Sequence, residues 1–181
     1  MKRHFAIASF ATLVLASCSP SATQKAAEIH KLEDQLLESS KKNIADTTGV
    51  KQLMGDYMAY YKAYPADTMT PTYMMKLAKF YDGVQLTDSA LFFYDQVYKN
   101  YPNYPKVSVA LFSEAFIYNN EKHDLSKAAL LYKIYLDKYP NSVLAKSATV
   151  ELHNLGKTPE QIMAEMDSIR QAHADSATAK K

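Results

Sequence analysis

The chain has 181 residues, 48% hydrophobic and 22% charged, with four glycines and one cysteine. That is enough apolar material for a single domain with a real core, and a lone cysteine excludes a disulfide framework. With 21 basic against 19 acidic residues the formal charge is +2, which argues against a surface built to grip nucleic acid.

Lys2 and Arg3 precede an apolar run from Phe5 to Ala16. The run is too short to span a bilayer as a mature helix, so residues 1–17 read as a secretory signal peptide. Leu15-Ala16-Ser17-Cys18 resembles a bacterial lipobox, in which Cys18 becomes the lipidated N-terminus after cleavage before it. Losing Lys2 and Arg3 leaves 19 basic and 19 acidic residues, and Arg170 is then the sole arginine. The forked, clustered cations of a phosphate-binding surface are missing. Ser19, Pro20 and Ser21 follow Cys18 with no aspartate. Among lipoproteins that pattern implies the outer membrane, with the chain facing the periplasm.

Residues 18–25 are expected to form a small polar tether, and residues 26–173 a single helical domain. Ile29, Leu32 and Leu36 make a narrow helical stripe over 26 to about 42. Asp46, Thr47 and Thr48 can cap a second helix running to Tyr64, with Leu53, Tyr57 and Tyr60 on its apolar side. These two helices predict a divergent opening hairpin, with Lys41 standing where a small crossing residue is expected. Packing inside the molecule is the favoured use of the first stripe; a short oligomerising coiled coil is the alternative.

Two regular units follow, over about 66–102 and 103–140. Tyr64-Pro65, Tyr101-Pro102 and Tyr139-Pro140 punctuate the chain at intervals of 37 and 38 residues. Tyr57, Tyr94 and Tyr132 each stand eight residues before a proline, while Ala78 and Ala115 each stand thirteen after one. Small Ala78, Ala90, Ala115 and Ala128 let helices cross closely, and the prolines stop one hairpin before the next begins. One extra residue is expected in the turn around Asn120–His123. Beyond Pro140, Leu144, Ala148 and Leu152 predict a helix ending near Gly156. Thr158, Pro159 and Gln161 then make a helix start with a capping box. Ile162, Met163, Met166 and Ile169 are expected to form its buried stripe, shielding the last hairpin as a capping helix; residues 174–181 read as a flexible tail.

This grammar resembles the tetratricopeptide repeat (TPR) family. Met74, Leu77, Ala78 and Tyr81 match the first helix of its hairpin, and Ala90, Tyr94, Val97 and Pro102 the second. Leu111, Ala115, Tyr118, Ala128, Tyr132, Tyr135 and Pro140 repeat the match. The spacings Pro102 to Ala110 and Pro140 to Ala148 are similar to repeats of the BamD and CpoB periplasmic families. The resemblance implies an all-α, right-handed superhelical solenoid of hairpins whose first helices line a concave, partner-binding face. On that face it places Thr72, Met75, Lys79, Asp82, Val109, Phe112, Phe116 and Asn119.

Fourteen tyrosines lie between Tyr57 and Tyr139. Tyr57, Tyr81, Tyr94, Tyr118 and Tyr132 are expected in inter-helix packing; Tyr61, Tyr73 and Tyr104 fit that register less well. Met54, Met58, Met69, Met74 and Met75 read as core filler. His30, His123, His153 and His173 are scattered without metal-ligand spacing, and Glu160, Glu165 and Asp167 read as a solvated face. No catalytic residue, metal or cofactor is predicted. The expected function is therefore a non-enzymatic, lipid-anchored periplasmic scaffold that binds an envelope protein or peptide, in outer-membrane assembly or cell-wall and division coordination. The alternatives are a self-associating structural lipoprotein or a glycan- or small-ligand-binding one.

Overall fold

A computed structural model describes residues 20–178, with side chains as far as Ala172. The expected signal peptide, residues 1–17, and Cys18 lie outside the described residues. Eight helices follow in order: α1 (Ala22–Lys41), α2 (Thr47–Ala63), α3 (Thr70–Gly83), α4 (Thr87–Asn100), α5 (Val107–Asn120), α6 (Leu125–Lys138), α7 (Ala145–Asn154) and α8 (Pro159–Thr178). There is no strand among the described residues. From α1 to α7 each helix packs on the next, most extensively within the pairs α3–α4 and α5–α6. The result is the all-α array of hairpins expected of a helical-repeat solenoid.

The crossing residues behave as their size requires. Ala78, Ala90, Ala115, Ala128 and Ala148 are all fully buried, so helix backbones approach where no larger side chain stands between them. At the α1–α2 crossing the small residue is Gly49, where an added Cβ would lie 2.7 Å from Leu36 Cδ2. Two apolar clusters result. The larger runs from Ile29 of α1 through Leu53, Met74, Leu77 and Val97 to Ile117 of α5. The smaller joins Leu111, Leu131, Tyr132 and Tyr135 to Ala148 of α7. Each buried aliphatic side chain contributes roughly 1.5–3 kcal/mol.

The loops alternate between two edges. Hairpin tips lie on one, and each tip holds a residue in the left-handed region: Asn43 (φ 56°), Gln85 (φ 59°), His123 (φ 53°) and Gly156 (φ 77°). The α3–α4 and α5–α6 tips meet there, with Thr87 donating to Glu121 at 2.6 Å and Lys122 paired to Asp88 at 2.5 Å. The loops joining successive hairpins lie on the other edge. Tyr101 donates to the carbonyl of Pro65 at 2.7 Å, and Tyr64 donates to that of Pro20. The Tyr60 hydroxyl braces Asp67 at 2.8 Å, and that of Tyr135 meets Ser142 at 2.6 Å. The tyrosines of the repeat thus fill space with their rings and fasten the next loop with their hydroxyls.

Several expectations need correction. Helix α1 begins at Ala22, inside the expected tether, because Ser21 and Gln24 form a reciprocal capping box. Its stripe is used within the molecule, as expected: Ile29 is fully buried, and Leu32 and Leu36 pack on the same cluster. Tyr73 is 2% exposed, fully in the core, where its ring stacks on Tyr57 and meets Tyr60 edge-on. Met69 is exposed rather than core filler, as it precedes α3 in a joining loop. Helix α8 continues into the expected tail, as far as Thr178. Of its stripe only Ile162 is half-buried; Met163, Met166 and Ile169 are 65%, 57% and 51% exposed. Glu165 instead ties α8 to the preceding turn, accepting from Lys157 at 2.6 Å and pairing with His153 at 2.8 Å. The Lys157–Glu165 ion pair and the His153 hydrogen bond hold the second turn of the helix while most of its apolar side stays off the array.

Candidate partner-binding face

Helices α3 and α5, the first helices of the two regular hairpins, carry all eight residues predicted for partner contact. Those on α3 divide by helical phase. Met75 is 4% exposed and belongs to the core, so it cannot meet a partner. Lys79 is exposed, while Thr72 and Asp82 are half-buried. Burial and the facing Glu121 carboxylate both raise the Asp82 carboxyl above its ordinary range.

On α5 the residues divide again. Val109 is half-buried against the larger cluster. Phe112 turns toward its own hairpin, its ring 5.7 Å from both Tyr132 and Tyr135. Phe116 stacks on Phe112 at 6.4 Å with the planes 19° apart, and it is 42% exposed. Asn119 donates to Glu151 of α7 at 3.3 Å. What the structure brings together is an aromatic step on α5, with Phe112 as its base and Phe116 as its exposed tread. The α3 residues approach the α5 set at the hairpin tips, through Asp82 and Glu121. Among the described side chains, neither terminal helix covers Phe116.

A polar and aromatic junction between α1, α2 and α3 was not foreseen. Glu33 accepts from the Tyr57 hydroxyl at 2.5 Å and from Lys76 at 2.6 Å. Lys76 lies over the rings of Tyr57 and Tyr73, 5.6 and 5.8 Å from their centroids. Burial pulls the Glu33 carboxyl upward, but the hydrogen bonds from Lys76 and Tyr57 outweigh it and hold the group below its usual value. Tyr57 is driven upward by burial and by its bond to Glu33. The signal available in the sequence was Tyr73 itself, one helical turn before Leu77. A second unforeseen group is Glu114, 5% exposed in the middle of α5. It occupies the repeat position of Leu77, beside the buried alanine, and that register departure was legible.

An apolar cleft of about 510 Å³ opens between α2 and α4. Phe93 forms its floor, stacked on Tyr81 at 5.7 Å and edge-on to Tyr61 at 6.0 Å, with half-exposed Phe92 at the rim. No described helix is long and apolar enough to cross a membrane, and no described group of three His, Cys, Asp or Glu is placed to hold a metal ion. No protein-family model matches the chain, and no curated protein matches it in sequence.

Proposed function

We propose that the protein is a lipid-anchored, TPR-type adaptor of the bacterial envelope, held through Cys18 at the outer membrane and facing the periplasm, and that it captures a partner protein or peptide without catalysing a reaction. The observation that carries this reading is the aromatic step on α5. Phe116 is an exposed aromatic side chain on the first helix of a repeated hairpin, backed by Phe112 and flanked by polar Asn119. An exposed aromatic on a rigid helical support suits the anchor residue of a peptide or helix, because little side-chain entropy is lost when it is covered. The spacing of Ala78, Ala90, Ala115, Ala128 and the three Tyr-Pro pairs supports the TPR assignment. The lipobox-like Leu15–Cys18 supports the anchor.

The test is photo-crosslinking in intact cells from a probe at exposed Asn120, one helical turn beyond Phe116, with the adducts identified by mass spectrometry. The expected result is one dominant envelope protein, lost in Phe116→Ala while helicity is retained. Adducts confined to this chain's own helices would refute capture at this face. The mass of the N-terminal peptide tests the anchor separately, since lipid on Cys18 adds a diacylglyceryl group.

A further inference from the structure

Two edges of the array differ in charge, and the N-terminal attachment enters at one of them. The described chain begins at Pro20, whose carbonyl accepts from Tyr64 at the end of α2. Tyr64 is at the first hairpin-joining loop, and Tyr101 of the second is bonded to Pro65 of the first. Residues of both loops line one shallow hollow, from Ala66 and Pro71 to Asn100 and Pro105. Pro20 therefore sits on the joining-loop edge. Cys18 is two residues earlier, within about 7 Å along an extended chain.

That edge has its own composition. The segments 62–69, 99–106 and 137–144 carry four lysines, Lys62, Lys99, Lys106 and Lys138, against Asp67 and Asp137. Each second helix of a hairpin ends in one of these lysines: Lys62 in α2, Lys99 in α4, Lys138 in α6. Asp67 is already engaged by the Tyr60 hydroxyl and the Met69 amide, both at 2.8 Å. Lys99 pairs with Asp95 and Lys138 donates to Tyr98, whereas Lys62 and Lys106 have no ion pair among the described residues. Two apolar side chains stand out from the same loops, Met69 at 38% exposure and Val143 at 93%. The opposite edge is acidic: segments 42–46, 84–88, 121–125 and 155–160 hold five acids against three lysines. The array is thus polarised, positive at the edge where Pro20 lies and negative at the far edge.

We propose that the joining-loop edge is a membrane-contact surface that lies against an anionic phospholipid bilayer, with Lys62, Lys99, Lys106 and Lys138 facing lipid phosphates and Met69 and Val143 entering the interface. The inference rests on the membrane-anchor reading above. Lysines near an anionic surface attract it, and one acyl signal is strengthened by a basic patch beside it. Tyrosine suits the same depth, with its ring toward the acyl boundary and its hydroxyl toward the headgroups. With this edge down, the helices stand away from the membrane. The acidic tips point outward, and Phe116, in the tip-proximal half of α5, is held clear of the bilayer.

The test uses the full chain, processed by the cell and recovered from its membranes, in vesicles of phosphatidylethanolamine and phosphatidylglycerol. A fluorophore is placed at Val143→Cys or, on the far edge, at Leu86→Cys, and quenching by headgroup-attached nitroxide is read. The expected result is strong quenching at position 143 and little at 86, with 143 falling to the level of 86 when the four lysines are changed to glutamate. Flotation of that variant with vesicles, and its helical circular dichroism, report that anchor and fold persist. If the protein floats but the two positions quench alike, the contact surface is refuted and the anchor stands. Failure to float without lipid on Cys18 removes the anchor, and the inference with it. Shielding of position 143 in cells without nitroxide quenching would mean that a protein covers the edge, again overturning it.

Discussion

The Tyr101 hydroxyl donates a 2.7 Å hydrogen bond to the carbonyl of Pro65, joining the close of one hairpin to the close of the one before. Proline leaves that carbonyl outside any helical ladder, so the tyrosine 36 residues later satisfies it. Burial raises the Tyr101 hydroxyl above its ordinary value, so it stays protonated and able to donate. Tyr101→Phe keeps the ring and removes only the bond. The expected loss is about 1 kcal/mol in urea unfolding with an unchanged slope. A loss several times larger would mean that the joining edge depends on the hydroxyl for more than this contact.

Glu33 and Lys76 couple the opening hairpin to the first regular one. In a double-mutant cycle of Glu33→Gln and Lys76→Met, a coupling of about 1 kcal/mol is expected, above that of a fully exposed pair. The sign with pH follows from the depressed Glu33 carboxyl. Its contribution is complete above the unfolded value near 4.5 and fades as pH falls through the lower folded value. The wild-type chain should therefore lose more stability than Glu33→Gln between neutral pH and pH about 4. Parallel curves for the two proteins would remove Glu33 from the account.

The helical hairpins were legible because small residues and prolines recur on a fixed period, and no other packing uses Ala78, Ala90, Ala115 and Ala128 so consistently. The face of α5 was legible only in part. Helical phase put Phe112 and Phe116 on one side, but two residues one turn apart diverge by tens of degrees, and that sent Phe112 toward Tyr132 and Tyr135. Met75 failed for a related reason: it adjoins buried Met74, and the core cuts across both. The α8 stripe misled because amphipathic spacing says that a helix can bury a face, not that a partner surface exists within the chain. The Glu33 junction was not legible because it joins residues 24 and 43 apart in sequence.

Hairpin tips place an asparagine, a glutamine, a histidine and a glycine in the same left-handed conformation. A long side chain is strained there, by roughly 1 kcal/mol for a residue such as glutamine. Gln85→Gly should raise stability by a few tenths to about 1 kcal/mol, the strain relief being partly offset by the freer unfolded chain. The reverse change, Gly156→Ala, should destabilise, since the new methyl is strained at φ 77° and lies 3.2 Å from Leu125 Cδ1. Thermal unfolding of the two variants decides it: shifts of the same sign would show that the tips are not equivalent.

Glu114 supplies the clearest dependence on pH. Burial, and then the nearby Asp95, push its carboxyl up to about 7, against partial relief from Lys127 and Lys99. The folded protein therefore holds this proton more tightly than the unfolded chain does. Stability is undiminished below the ordinary value of 4.5, falls as pH rises toward 7, and then levels off. The cost at pH 8 is on the order of 3 kcal/mol at most, the relief from the two lysines being already contained in the value of about 7. Glu114→Gln keeps the shape and deletes the titration, so it should match the wild type near pH 4 and exceed it at pH 8. Glu114→Leu, restoring the residue found at position 77, should exceed it at both. Denaturant titrations at the two pH values test this directly; a Gln variant less stable than wild type at pH 8 would show that the ionised carboxylate is stabilised by Lys99 and Lys127 rather than penalised by burial.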